Sequence, residues 1–422
     1  MNEPVLLAAL VVYLSLYVLL VYRAHFSRVN WLWSLACLAP AVYISWAIFG
    51  AAHDMNLIME LVEAARRGTS PWEVGHQFNH LPGYPILLTP MAWMSQSGSA
   101  AGIGTKVKLL NLGFLVWFGW IAGRVAFHGA VDSNWRGVLY FSCHPMLVAV
   151  VLWHVQFEMP VLALLLCSMT FWPPSERGKT FWGGVLYGLA VSVKHWPLLA
   201  LPVLIYGMPR KILRLGAGIV MGVSGVLGLH LVLNGHFRGF SRILSYSGMA
   251  ANVGLLQAFG LPEPHGWNFV CFVVAMAAGL AIRLKGGQPA QAGMFTLLVF
   301  LLLSFRTAPQ YWVWFMAFAP YCLSDRERPF WLVSGCLGTI VLLLEWGLVL
   351  GWRGDEYPHS TWQGNYPHLR DYPHLSSAAL WLFDVVWRPL FLVAVIAAGL
   401  WYYEIWNALH PHSVRSCQKA GG

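Results

Sequence analysis

From Pro4 to Tyr22, and again from Trp31 to Gly50, the chain contains no Asp, Glu, Lys, Arg or His. A helix needs about 20 apolar residues to cross the hydrocarbon of a bilayer, and inside lipid its backbone polar groups must be satisfied within the segment. Runs of this kind therefore demand membrane-spanning helices, and they recur along the chain. Spans are expected near 4–22, 31–50, 108–127, 136–153, 159–172, 181–194, 196–208, 215–233, 265–284, 290–305, 310–324, 330–351 and 382–405, about thirteen in all, several short or broken by proline. Composition agrees. Of the 422 residues, 58% are hydrophobic and only 10% are charged, against about 25% charged in soluble domains. The mean hydropathy is +0.59. The expected fold class is an all-α integral membrane protein, with residues 1–422 forming a single polytopic domain. The first segment has no basic residue ahead of its apolar run and no small-residue cleavage site after it, so it reads as a retained span and not a signal peptide.

Charge sets the expected topology, because Lys and Arg collect in short cytoplasmic loops. With the N-terminus outside, the inner connections hold Arg23 and Arg28, Arg124 and Arg136, Arg177 and Lys179, Arg210 with Lys211 and Arg214, Arg283 and Lys285, and Arg326 and Arg328. The tail, with Arg415 and Lys419, is then also cytoplasmic. This pattern accounts for much of the excess of 26 Lys and Arg over 17 Asp and Glu, which therefore makes no case for a nucleic-acid partner. The lipid bilayer itself is the first partner.

The long loops 51–107, 234–264 and 352–381 then all face outward. Within the first, residues 54–67 read as an amphipathic helix, with Asp54 or Asn56 at its cap, Glu60 and Glu63 early, Arg66 and Arg67 in the last turn and Gly68 after it. Ser70-Pro71-Trp72-Glu73 starts a second helix. Two surface helices are expected here. In the third loop Tyr-Pro-His occurs at 357–359, 366–368 and 372–374, where proline opposes regular helix and the spacing matches no metal-ligand pattern. The seven cysteines fall mostly in or beside apolar segments and read as buried small hydrophobes.

Four polar groups map to the outward face: Asp54 with Asn56; His154, Gln156 and Glu158; Lys194 at the Lys-His-Trp-Pro break; and Arg306 with Gln310 and Tyr311. Ionisable groups at membrane depth are costly and mark function or a paired contact. Separately each has a bland explanation, as a helix cap, a hydrogen-bonded turn or a snorkelling cation. Their shared face is less easily explained that way.

The ordered set resembles the polyprenyl-phosphate-sugar-dependent glycosyltransferases of the GT-C superfamily, and most closely the catalytic subunit of the GPI-anchor first mannosyltransferase. The resemblance lies in His-Asp-Met-Asn at 53–56, the run from Ala64 to Trp72, Leu-Leu-Thr-Pro at 87–90, His-Val-Gln-Phe-Glu at 154–158, the run from Gly188 to Pro197, and Pro-Gln-Tyr at 309–311 followed by Trp314. It implies a GT-C-like helical bundle moving a hexose, mannose as the best guess, from a polyprenyl-phosphate donor to a lipid, glycan or protein acceptor. Asn56 stands where that family has a second acid, Glu158 replaces Asp and Val155 replaces Gly. A divalent cation is the one cofactor the resemblance brings, and Asn56 argues against it; no metal ligands are assigned.

Such a transfer needs a base for the acceptor hydroxyl and donors for the departing phosphate. Asp54 is the candidate base, and one carboxylate acting by direct displacement inverts the anomeric centre. Glu158 is the second acid, placed to position Lys194 or the sugar. Lys194, Arg306, Arg238 and Arg242 are phosphate candidates; Asn56, His154, Gln156, Gln310 and Tyr311 are candidate substrate contacts. The chain has no Asn-x-Ser/Thr sequon and no retrieval tail, which leans toward a bacterial plasma membrane. The rival reading is a transporter or flippase of lipid-linked sugars or phosphorylated solutes, which would place its charges near mid-span within inverted repeats.

Overall fold

The computed structural model describes residues 3–24, 27–47, 53–74, 80–94, 100–128, 130–153, 156–172, 179–238, 240, 266–304, 309–322, 336 and 339. Among them there is no strand. The chain divides into two compact units, one of residues 1–197, 210–247 and 320–358, the other of 198–209, 248–319 and 359–422.

The first unit opens with α1 (Glu3–Ala24) and α2 (Trp31–Ala47). The loop that follows holds α3 (His53–Arg67), α4 (Pro71–Val74) and α5 (Gly83–Met94). The apolar stripe of α3, from Leu57 and Ile58 through Leu61, Val62 and Ala64, is buried, and the helix packs on α5. Helix α5 was not expected from the sequence, which assigned only the two helices before it in this loop. Pro85 lies in the first turn, where a missing N–H costs nothing, and only Pro90 interrupts the helix interior. The next helix, α6 (Ala100–Ala126), begins well before the expected residue 108.

The expected span at 136–153 is a bent pair. Its parts, 133–142 and 145–153, meet at 65° beside Pro145. Helix α7 (Ser133–Gly137) runs into a π-helix at Val138–Ser142, and α8 (Pro145–Val148) into a second at Ala149–Trp153. Side chains from neighbouring helices take carbonyls along this stretch. Tyr13 Oη donates to Cys143 O at 2.8 Å, Tyr17 Oη to Tyr140 O at 3.1 Å, and Ser45 Oγ to Leu152 O at 2.8 Å. Widened turns of this kind are kept where neighbours can satisfy the backbone.

Helix α9 (Glu158–Thr170) and α10 (Lys179–Val193) then form a packed pair. Helix α12 (Pro209–Asn234) lies against α10 without room for side chains. A Cβ on Gly184 would sit 2.3 Å from Leu215 O, and one on Gly188 would sit 2.4 Å from Ile219 O. The converse holds for Gly218 and Gly222, which would meet Phe181 O at 2.2 Å and Val185 O at 2.4 Å. Paired glycines four residues apart let membrane helices touch backbone to backbone, where van der Waals contact drives association.

The second unit contains α11 (Pro197–Ile205), α13 (Trp267–Leu284) and α14 (Pro289–Leu303). Val203, Ile282, Ala292 and Phe295 form its core. Pro289 at the first helical position and a reciprocal Gln288–Gln291 capping box start α14. The expected span at 310–324 opens instead as a nine-residue 3-10 helix, Pro309–Ala317. Among the described residues three helices are long and apolar enough to cross a membrane, Ile103–Ala126, Lys211–Asn234 and Trp267–Leu284, and the bent pair passes the same test as one span. Of the expected span at 330–351 only residues 336 and 339 are described, and the span at 382–405 and the Tyr-Pro-His loop lie outside the described residues.

Candidate functional site

Glu158 is the first residue of α9, and Lys194 follows the last residue of α10 with its N–H still donating to Ala190 O at 3.1 Å. An acid at a helix N-terminus and a base at a C-terminus each complement the helix dipole. The two helices run antiparallel, so these ends come together. Lys194 Nζ donates to Glu158 Oε1 across 36 residues of sequence. Glu158 is fully buried and Lys194 is 5% exposed. Isolated charges at such a depth would be strongly penalised, and pairing is what makes them tolerable. Glu158 Oε2 has no hydrogen-bond partner among the described residues.

Aromatic rings close one side of the pair. Lys194 Nζ lies 5.0 Å from the centroid of the Phe157 ring, a cation–π distance. Tyr84 stacks on Phe157 at 4.6 Å, and His80 meets the same ring edge-on at 5.4 Å. His80 Nδ1 is 3.4 Å from His195 Nδ1, and Trp72 Nε1 donates to His80 O at 3.0 Å. Part of the His80 ring is accessible, yet it is packed between Phe157 and His195. That crowding, then the positive charge of Lys194 and the neighbouring His195, hold its pKa well below the usual histidine value. Gly83 explains how α5 comes so close, because a Cβ there would lie 2.6 Å from Ser192 O.

A second polar layer supports the turn that carries Glu158. Asn111 on α6 is fully buried, and its Nδ2 donates to Val151 O at 3.1 Å and Gln156 O at 3.3 Å. Gln156 N in turn donates to Val150 O at 3.1 Å. Three residues earlier on α6, Lys108 is 3% exposed and its Nζ donates to Ser45 O. Sequence reasoning missed His80, Tyr84, Lys108 and Asn111. The legible signal was present for two of them, since Lys108 and Asn111 are polar residues one helical turn apart at the start of an apolar run.

The expected site residues are distributed as follows. Glu158 and Lys194 meet, and Gln156 is buried in the same turn as Glu158. Asp54 and Asn56 lie in the first turn of α3, with their side chains outside the description. Arg238 is exposed and holds the loop through its carbonyl, which accepts from Ser70 Oγ at 2.8 Å. Gln310 and Tyr311 belong to the 3-10 helix of the second unit, where Tyr311 stacks on Trp314 at 4.5 Å. His154, Arg306 and Arg242 lie outside the described residues.

Helices of membrane length among the described residues, with shorter apolar helices packed beside them, define an integral membrane protein. Residues 78–309, more than half of the chain, match the model of glycosyltransferase family 87, a family of the GT-C type. The chain belongs to glycosyltransferase family 87, and is a membrane glycosyltransferase. No curated protein and no solved structure matches it. The finer likeness to the GPI-anchor mannosyltransferase is not part of the match. The matched stretch includes His80, Glu158, Lys194 and Arg306, and begins after Asp54 and Asn56.

Proposed function

We propose that the chain transfers a hexose, mannose by preference, from a polyprenyl-phosphate donor to a lipid, glycan or protein acceptor on the extracytoplasmic side of a bacterial plasma membrane. The observation that supports this reading is the buried Lys194–Glu158 pair, whose second carboxylate oxygen has no hydrogen-bond partner among the described residues. An accepting group already locked in place by a lysine costs little reorganisation when the sugar arrives. Lys194 acts here as the residue that positions Glu158. Lys194, Arg306, Arg238 and Arg242 are the cations proposed to meet the leaving phosphate.

Chemistry follows by direct displacement. The acceptor oxygen attacks the anomeric carbon, the bond from that carbon to the phosphate oxygen breaks, and polyprenyl phosphate departs with the electron pair. The acceptor proton passes to the Asp54 carboxylate, and the configuration inverts. Asn56, His154, Gln156, Gln310 and Tyr311 supply hydrogen bonds to donor and acceptor. In isolated membranes supplied with a labelled polyprenyl-phosphate hexose, Asp54→Asn is expected to lower transfer by about a hundredfold or more at unchanged protein level. Wild-type transfer by that variant would remove Asp54 as base.

A further inference from the structure

His195 follows Lys194 in the break between α10 and α11. Lys194 before it and Trp196 after it are buried, whereas His195 is exposed. A residue between two helices need not turn with its neighbours, so one imidazole reaches the surface directly beside the buried ion pair.

That ring is joined to a second one. His195 Nδ1 lies 3.4 Å from His80 Nδ1, with ring centroids 5.3 Å apart and the planes tilted by 40°. Two nitrogens facing each other in this way are held by one proton, because two bare lone pairs or two N–H groups would repel. Crowding, and after it the charge of Lys194, hold the His195 pKa below the usual histidine value, as they do for His80. Both rings are therefore neutral at about pH 7. The ring that accepts at Nδ1 must then carry its own proton on Nε2. His80 is the anchored member, since Trp72 Nε1 donates to its carbonyl at 3.0 Å and Phe157 meets its ring edge-on at 5.4 Å. An anion at the exposed ring selects one tautomer. Only the form in which His80 holds the shared proton offers an Nε2–H from His195.

We infer that His195 donates this Nε2–H to the phosphate as it leaves the sugar, and that His80 is the positioning residue that fixes the tautomer. The inference rests on the phosphate-linked donor proposed above. A neutral imidazole adds no second fixed charge beside Lys194. Held in place beforehand, it gains strength as negative charge grows on the phosphate oxygen. Lys194 supplies the charge and His195 the directed contact.

The test uses isolated membranes containing the full-length chain, a labelled polyprenyl-phosphate hexose and matched protein levels. A contact that tightens as the bond to phosphate breaks acts on the maximal rate. His195→Phe is expected to lower that rate by about a hundredfold, with the donor KM changed far less. His195→Gln places an amide N–H near the position of Nε2–H and should regain about tenfold of the loss. His80→Phe keeps a ring in place but removes the shared proton, and should lower the rate by about tenfold. An unchanged rate in His195→Phe, an equal loss in the Phe and Gln variants, or a rise in KM alone overturns the role of His195. If His195→Phe does not fold, His195→Ala against His195→Gln decides it in the same way. A wild-type chain that moves sugar only from a nucleotide donor removes the phosphate-linked donor and this inference with it. The two failures differ in whether the wild type itself transfers from the phosphate-linked donor.

Discussion

From Phe181 to Gly188, α10 meets α12 through backbone alone, with carbonyls where Cβ atoms would have to be. Six residues after Gly188 the same helix ends in Lys194, a cation held by a carboxylate and an aromatic ring. The glycine seam is a matter of shape: it carries no charge and tolerates no volume. The Lys194 end is a matter of charge: its partners were removed from water, and each is stable only while the other is present. The first kind of contact fixes where α10 lies. The second fixes what α10 presents at its end.

The sharpest way to break this comparison is to unpair the charges. Glu158→Ala is expected to cost about 3–5 kcal/mol of stability, read by denaturant unfolding in detergent, because Lys194 is left buried without its anion. The double variant Glu158→Leu with Lys194→Met should recover most of that stability while sugar transfer stays absent. Recovery of both would make the pair a packing device and nothing more. The seam gives the next effect. Gly188→Leu must displace Ile219 O, and is expected to destabilise by about 3 kcal/mol, whereas Gly225→Leu, with nothing within 4 Å, should change stability little.

The smallest effect concerns His80, which lies at the charged end. Its folded-state pKa is depressed below the ordinary value of 6.5, so the folded protein binds fewer protons there than the unfolded chain. Stability is therefore full above that value and falls as the pH drops below it. His80→Phe should flatten this part of the unfolding profile below about pH 6.5. An unchanged profile would mean that burial and the Lys194 charge do not depress the His80 pKa.

Apolar length was readable along much of the chain, because burial in lipid imposes a composition that no local contact can disguise. The helix over 54–67 was readable too, from its charge order and from Gly68 after it, but it begins at His53, so Asp54 and Asn56 lie inside its first turn and not at its cap. The bend at 136–153 was not. Hydropathy counts apolar residues and is blind to a 65° turn whose carbonyls are satisfied by Tyr13, Tyr17 and Ser45 from other helices. Helix α5 went unassigned; it carries Pro90 in its interior, and its place against α3 is set by packing and not by a local signal. In the site, Glu158 and Lys194 stood out as charges at the ends of apolar runs, but Asn111 reads as an ordinary polar residue until its amide is seen holding the Gln156 turn.

By itself the sequence determined that this protein lives in a membrane, that it is helical, and that a few ionisable groups sit at the ends of its spans. Those follow from the cost of exposing backbone and charge to hydrocarbon, which is paid residue by residue. Tertiary structure decided which charges meet, which glycines touch backbone, and that Asn111 holds the Gln156 turn. Those depend on distances between helices, and a distance between helices is set by packing that no single segment contains.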